Sequence, residues 1–197
     1  EVRQRYLLEV EYADRQIGRL LAALDAKGLL DNTVVVFTSD HGEGLGDHNH
    51  VGHIHQVYDT LIRVPLIVTS RTGLPAGLRV SDRVSLVDVF PTVAEILGVE
   101  GPSPASGRSL VPLLDGETLP ATDILAETHR PEAHTDKRAI IRDGFKYLHS
   151  WSEEREWEEL YDLNADPDEL TNLAAKEPAV VEVCREKLGE WTERVGA

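Results

Sequence analysis

Apolar residues recur at steps of three and four through the first 27 positions. Val2, Tyr6, Val10, Ala13, Ile17, Leu20, Leu21 and Leu24 form one stripe, which predicts an amphipathic helix over residues 2–27. Gly28 suits its C-terminal cap, and Asp31-Asn32 turns the chain. The period then changes. Thr33-Val34-Val35-Val36-Phe37-Thr38 is a short β-branched run between turn signals, the pattern of a strand buried on both faces of a parallel sheet. A loop rich in Gly and His runs to about His55, and Val57 to Leu61 has room for a helical turn. Arg63-Val64-Pro65-Leu66-Ile67-Val68 predicts a second buried strand, with Pro65 at its start where no ladder donor is needed.

Residues 71–79 form a Gly/Pro loop, and Ser85 to Leu97 predicts a helix ended by Gly98. Four prolines and three glycines between residues 99 and 120 mark a subdomain boundary. Beyond it, Ile124-Leu125-Ala126, Arg138–Arg142, Lys146–His149 and Glu159–Leu163 alternate with polar turns such as Asp143-Gly144, which predicts an antiparallel meander. Pro178 to Val195 is amphipathic again, with Val180, Val183, Cys184, Leu188, Trp191 and Val195 facing inward. The fold class is therefore α/β. Residues 1–115 form a mostly parallel sheet with flanking helices, and residues 116–197 a small antiparallel sheet with a terminal helix.

Composition narrows the function classes. The 197 residues carry 20 basic and 35 acidic side chains, a net charge of −15, which argues against a nucleic-acid partner and against docking on anionic lipid. No apolar run approaches the roughly 18 residues of a membrane span. One cysteine, Cys184, permits neither an intrachain disulfide nor a Cys-rich zinc site. The chain has no methionine and opens on a charged helix, which suggests a piece of a longer chain. Such a piece would expose the face where the rest of the sheet packed, and association into a homo-oligomer through that face is the expectation.

The chemistry is concentrated in one loop. Five of the eight histidines, His41, His48, His50, His53 and His55, fall within 15 positions, interspersed with Asp40, Glu43 and Asp47. Asp40 and His41 stand at the C-terminal end of a predicted strand, where open α/β sheets bind ligands. A carboxylate oxygen and an imidazole nitrogen together suit a divalent metal, although two donors do not complete a site. Spacing alone leaves open that Asp40 caps a turn and the histidines decorate a solvated loop. A dinucleotide loop from Gly42, Gly44 and Gly46 fails, because the third glycine of that fingerprint would fall at Asp47.

Val36-Phe37-Thr38-Ser39-Asp40-His41-Gly42-Glu43-Gly44-Leu45-Gly46-Asp47-His48 resembles the second metal-binding segment of the sulfatases, within the alkaline-phosphatase superfamily. The likeness extends in family order to the helix from Tyr12 to Leu21, to Gly52-His53 with Tyr58-Asp59, and to Arg63–Val68. It continues through Val87–Thr92, Gly107-Arg108-Ser109-Leu110, Leu160-Tyr161-Asp162-Leu163, Asp166-Pro167-Asp168-Glu169 and Asn172-Leu173. The resemblance implies part of an alkaline-phosphatase-like sandwich and hydrolysis of a small-molecule or carbohydrate sulfate ester. It makes Asp40 and His41 ligands of a divalent cation, usually Ca2+, with Mn2+, Mg2+ or Zn2+ as alternatives. It places His53 where many members have a lysine, and others a histidine, that contacts the sulfate or the leaving oxygen; His55 is the nearby rival. Glu43, Asp47 and His48 belong to the same signature and are read as groups that shape the loop.

The family's nucleophile is a formylglycine made from a Cys/Ser-x-Pro/Ala-x-Arg motif in its N-terminal half. That motif and the family's Asp-Asp metal pair are not found in this sequence. Cys184 precedes Arg185-Glu186-Lys187, and Ser103-Pro104-Ala105-Ser106-Gly107-Arg108 has its arginine one place late. The resemblance therefore implies half a metal site here, inactive alone. A phosphodiester or phosphonate hydrolase, or a phosphoethanolamine-type transferase, is the alternative within the superfamily, and a non-catalytic structural module is the alternative outside it. Trp151, Trp157 and Trp191 are read as packing residues, Glu153–Glu159 as a solvated turn, and Asp166–Glu169 as the start of a helix.

Overall fold

The structure is a computed structural model that describes residues 1–53, 55–100, 106–129 and 135–195. Helix α1 spans Val2–Ala26, within a residue of the predicted stripe. Strands β1 (Val34–Thr38) and β4 (Leu66–Ser70) pair antiparallel, with Val34 opposite Ser70 and Thr38 opposite Leu66. Both were expected to lie in a parallel sheet, buried on both faces. Composition marks them as strands, but the connection sets their direction. Residues 39–65 bring the chain back at the same end, whereas parallel pairing needs a crossover to the other. Phe37 and Ile67, opposite one another, are exposed.

Within that connection lie the two-residue strands β2 (Gly44–Leu45) and β3 (Val51–Gly52), paired antiparallel, and the single-turn helix α2 (Asp59–Ile62). A 3-10 turn at Leu86–Asp88 leads into α3 (Val89–Leu97). Asp88 ties the start of α3 to the Gly107–Leu110 segment. It accepts from the amides of Ser85 (3.0 Å) and Arg108 (2.9 Å), while Thr92 accepts from the Leu110 amide at 2.9 Å. The Pro/Gly-rich stretch also holds a short helix, α4 (Val111–Leu114), that periodicity did not show. Residues 101–105, including the first half of the Ser103–Arg108 near miss, lie outside the described residues.

The meander forms as expected. β5 (Ile124–Thr128), β6 (Thr135–Arg142), β7 (Phe145–Ser152) and β8 (Glu156–Asp162) make an antiparallel sheet in sequence order. Asp143 and Gly144 both have positive φ (50° and 86°), as the tight turn between β6 and β7 requires. Helix α5 (Pro178–Val195) covers one face, burying Ile140, Tyr147 and Leu160 against Val181, Cys184 and Leu188. Cys184 is thus a core residue, and Trp191 packs at the cluster's edge. The other face buries Ala139, Ile141, Leu148, Tyr161 and Leu163 against Val57 and Tyr58, the chain just after the histidine loop.

Two expectations fail here. Glu156–Asp162 is strand, so only the residues just before it turn, and Glu158 and Glu159 are engaged. Glu158 binds Arg185 at 2.8 Å, and Glu159 accepts from Tyr58 and Tyr161 at 3.0 Å each. Asp166–Glu169 starts no helix, because α5 begins only at Pro178. Pro167 has no amide to donate, Glu169 is left-handed (φ 55°), and the Asp166 carboxylate instead receives the Leu170 and Thr171 amides at 3.1 and 2.8 Å.

Candidate metal centre

Asp40 and His41 follow β1 after the single residue Ser39, at the mouth of the connection. The Asp40 side chain is 86% exposed and that of His41 45%. Asp40 Oδ1 accepts from the His41 amide at 3.0 Å, and that backbone hydrogen bond holds the carboxyl below its usual range. His41 Nδ1 lies 2.9 Å from the Gly42 carbonyl oxygen. A carbonyl can only accept, so in the neutral ring the proton sits on Nδ1 and Nε2 keeps its lone pair. Nε2 lies 3.7 Å from Asp40 Oδ2. An ionised oxygen and an unprotonated imidazole nitrogen, both accessible and adjacent, fit a divalent cation, with the second imidazole nitrogen fixed by a backbone carbonyl. Among the described residues no three His, Cys, Asp or Glu side chains gather to hold a metal. Among these residues Asp40 and His41 are the adjacent pair of candidate donors.

His53 stacks on His41, ring centroids 4.7 Å apart and planes 22° from parallel. Its Nδ1 lies 2.9 Å from Glu43 Oε2. The cause is the β2–β3 register. Gly44 pairs with Gly52, so the next residues outward, Glu43 and His53, stand opposite one another. Glu43 takes Nδ1–H, and the His53 side chain is exposed. His55 differs. It is left-handed (φ 57°), and both its ring nitrogens are shielded from solvent. His48 stacks on Tyr58, 3.7 Å between centroids and 2° from parallel, and Asp47 Oδ2 accepts from the Leu45 amide at 3.4 Å.

The segment after Asp40-His41 rests on α2. The Gly42 amide donates to the Leu61 carbonyl at 2.8 Å, and a Cβ on Gly42 would stand 2.1 Å from the Thr60 oxygen. A side chain there would push the two segments apart. Sequence reasoning missed the group beneath α2. Lys146 Nζ is fully buried, 3.0 Å from Asp59 Oδ1 and 2.7 Å from Glu169 Oε1, and Glu169 Oε2 accepts from the Asp59 amide at 2.7 Å. Burial pushes the Glu169 carboxyl up, against the pull of Lys146. The available signal was register: Lys146 alternates with Phe145 and Tyr147 on a strand whose two faces are both covered.

With that geometry in view, comparison with known proteins is decisive. The sulfatase family model matches residues 1–99. The chain belongs to the sulfatase family. It is 34% identical to arylsulfatase K of Xenopus laevis over 197 residues, covering 95% of this chain and 36% of that protein. It is 37% identical to an N-acetylglucosamine-6-O-sulfatase of Bacteroides thetaiotaomicron over 178 residues, covering 87% and 32%. The sulfatase chain therefore spans about a third of the length of these relatives. A structure solved with its substrate D-glucosamine-2-N,6-O-disulfate aligns with TM-score 0.81 and 32% identity, covering 93% of this chain and 39% of that one. The phosphonate monoester hydrolase of Agrobacterium radiobacter aligns with TM-score 0.77 and 33% identity, covering 92% and 39%. Among the described residues no helix is long and apolar enough to cross a membrane.

Proposed function

We propose that this chain supplies two metal ligands and the leaving-group acid of a metal-dependent sulfatase acting on a sulfated carbohydrate. The observation that carries the reading is the group at the end of β1: Asp40 Oδ2 and His41 Nε2 3.7 Å apart, with the His53 ring stacked on His41. A divalent cation, calcium in this reading, would supply neutralising charge at the sulfate oxygens and favour ionisation of the nucleophile. Asp40 and His41 would hold it. The Gly42 carbonyl keeps the His41 proton on Nδ1 and so keeps Nε2 available. His53, oriented by Glu43 and acting as the imidazolium, would present Nε2–H to the ester oxygen and give it that proton as the S–O bond breaks, leaving the neutral ring with its remaining proton on Nδ1 toward Glu43. His53 suits this role better than His55, whose ring nitrogens are shielded. The nucleophile, a formylglycine in this reading, would come from outside these residues. Cys184 is sealed in the core, where burial raises its thiol. The carbohydrate substrate is inferred from the two relatives that act on or bind glucosamine sulfates.

The test is steady-state turnover of 6-O-sulfated N-acetylglucosamine and an aryl sulfate by the full-length protein, with the 197-residue chain as an inactive control. Asp40→Asn and His53→Gln should each lower kcat by about 10²–10⁴-fold. Turnover unchanged in both variants would sink the proposal. The phosphonate hydrolase alignment supports a second reading, so a phosphonate monoester is assayed in parallel. A kcat/KM for it above that for either sulfate would replace the sulfatase reading.

A further inference from the structure

Helix α2 touches both parts of the molecule. On one side its first residue is held by the meander: Lys146 Nζ reaches Asp59 Oδ1 and Glu169 Oε1 at 3.0 and 2.7 Å, and Glu169 receives the Asp59 amide. On the other side Leu61 receives the Gly42 amide, and Gly42 lies flat on Thr60. Gly42 directly follows His41 and accepts its Nδ1 hydrogen. A continuous path of short polar contacts thus runs from Glu169 and Lys146 through Asp59 and α2 to Gly42 and His41.

A four-residue helix cannot hold itself together. No side chain of its own N-cap residue, Tyr58, closes α2. Its leading amide is satisfied instead by a carboxylate 110 positions later in the chain. Two further ties lie along the same sheet face: Lys137 Nζ donates to Gln56 at 2.7 Å and Tyr58 donates to Glu159 at 3.0 Å. These hold the approach to α2. Lys146 and Glu169 hold its first turn.

We propose that Lys146 and Glu169 are positioning residues for the Asp40–His41 pair. Their buried ion pair fixes α2, and α2 fixes Gly42 and, through its carbonyl, the His41 ring. Neither residue reaches the site itself. The catalytic meaning rests on the sulfatase reading above, but the mechanical link does not.

The test uses the full-length protein and hydrogen exchange resolved to the Gly42 amide, without metal or substrate. Lys146→Met is compared with Leu160→Ala, which weakens the same sheet from its α5 face. Lys146→Met should speed Gly42 exchange at least tenfold beyond the change in global stability, and Leu160→Ala should not. Lys146→Arg, which keeps the charge and is the variant to use if Lys146→Met does not fold, should show a smaller rise in the same direction. Calorimetry should show calcium affinity at least tenfold weaker in Lys146→Met than in Leu160→Ala. Gly42 exchange that follows global stability equally in all variants overturns the proposal. If the parent protein neither binds calcium nor turns over a sulfate ester, while Gly42 still responds to Lys146, the sulfatase reading fails and the link stands.

Discussion

The meander and the β1–β4 pair are both antiparallel, yet they differ in what covers them. The meander is sealed on both faces, by α5 on one side and by Val57 and Tyr58 on the other. The β1–β4 pair exposes Phe37 and Ile67, and α1 buries none of its 25 residues, with Val2, Tyr6, Leu7, Leu8, Val10, Tyr12 and Leu20 all open. The apolar stripe that predicts α1 is therefore a statement about a surface the helix can bury, not about one it buries within these residues. The candidate donors Asp40 and His41 follow β1 in the open part, while Lys146, which is paired with Asp59 of α2 and with Glu169, belongs to the closed part. The candidate site thus lies on the seam between an open region and a closed one.

That contrast can be broken by mutation. The largest effect should come from Leu160→Ala. It empties part of the α5 face and should cost roughly 2–5 kcal/mol in urea unfolding, because a fully buried leucine leaves a cavity as well as losing its transfer energy. A cost below about 1 kcal/mol would mean that α5 is not firmly seated.

Glu169→Gln should have a smaller, pH-dependent effect. Burial raises the folded-state carboxyl above its unfolded value, so the folded state holds its proton more tightly. The stability tied to that proton is present below the unfolded value and lost as pH rises through the folded one. Glutamine has no proton to lose, so the variant should gain on the parent as pH rises from acid to neutral. Paired urea titrations across that range check the sign. The smallest effect should be that of Leu20→Ala on α1, within about 0.5 kcal/mol, as for an exposed position making no special contact. A large loss there would show that α1 is covered in solution.

The regular elements were legible because their periods are strong. The α1 stripe, the meander's alternation and α5 all form close to where the pattern places them. What escaped depends on partners distant in sequence. Nothing local tells β1 to pair antiparallel with β4, since the residues between them choose the direction. Glu169 reads as a helix-start acid, yet its carboxylate is spent on Lys146 and Asp59. The family signature singled out Asp40, His41 and His53. Pairing Glu43 with His53 needed the Gly44–Gly52 register, which two-residue strands do not announce. Lys146 escaped because a lysine in a strand looks like a solvent-facing position until both sides of the strand are seen to be covered.

Cys184 gives the molecule a reporter of its own. It is the sole thiol in 197 residues, sealed at 2% exposure on the sheet-facing side of α5. A thiol reagent can reach it only when the helix lifts from the sheet, so the labelling half-time is a clock for that one opening event. The native sequence thus carries a single-site chemical stopwatch on the closed half, with no engineered cysteine needed to read it.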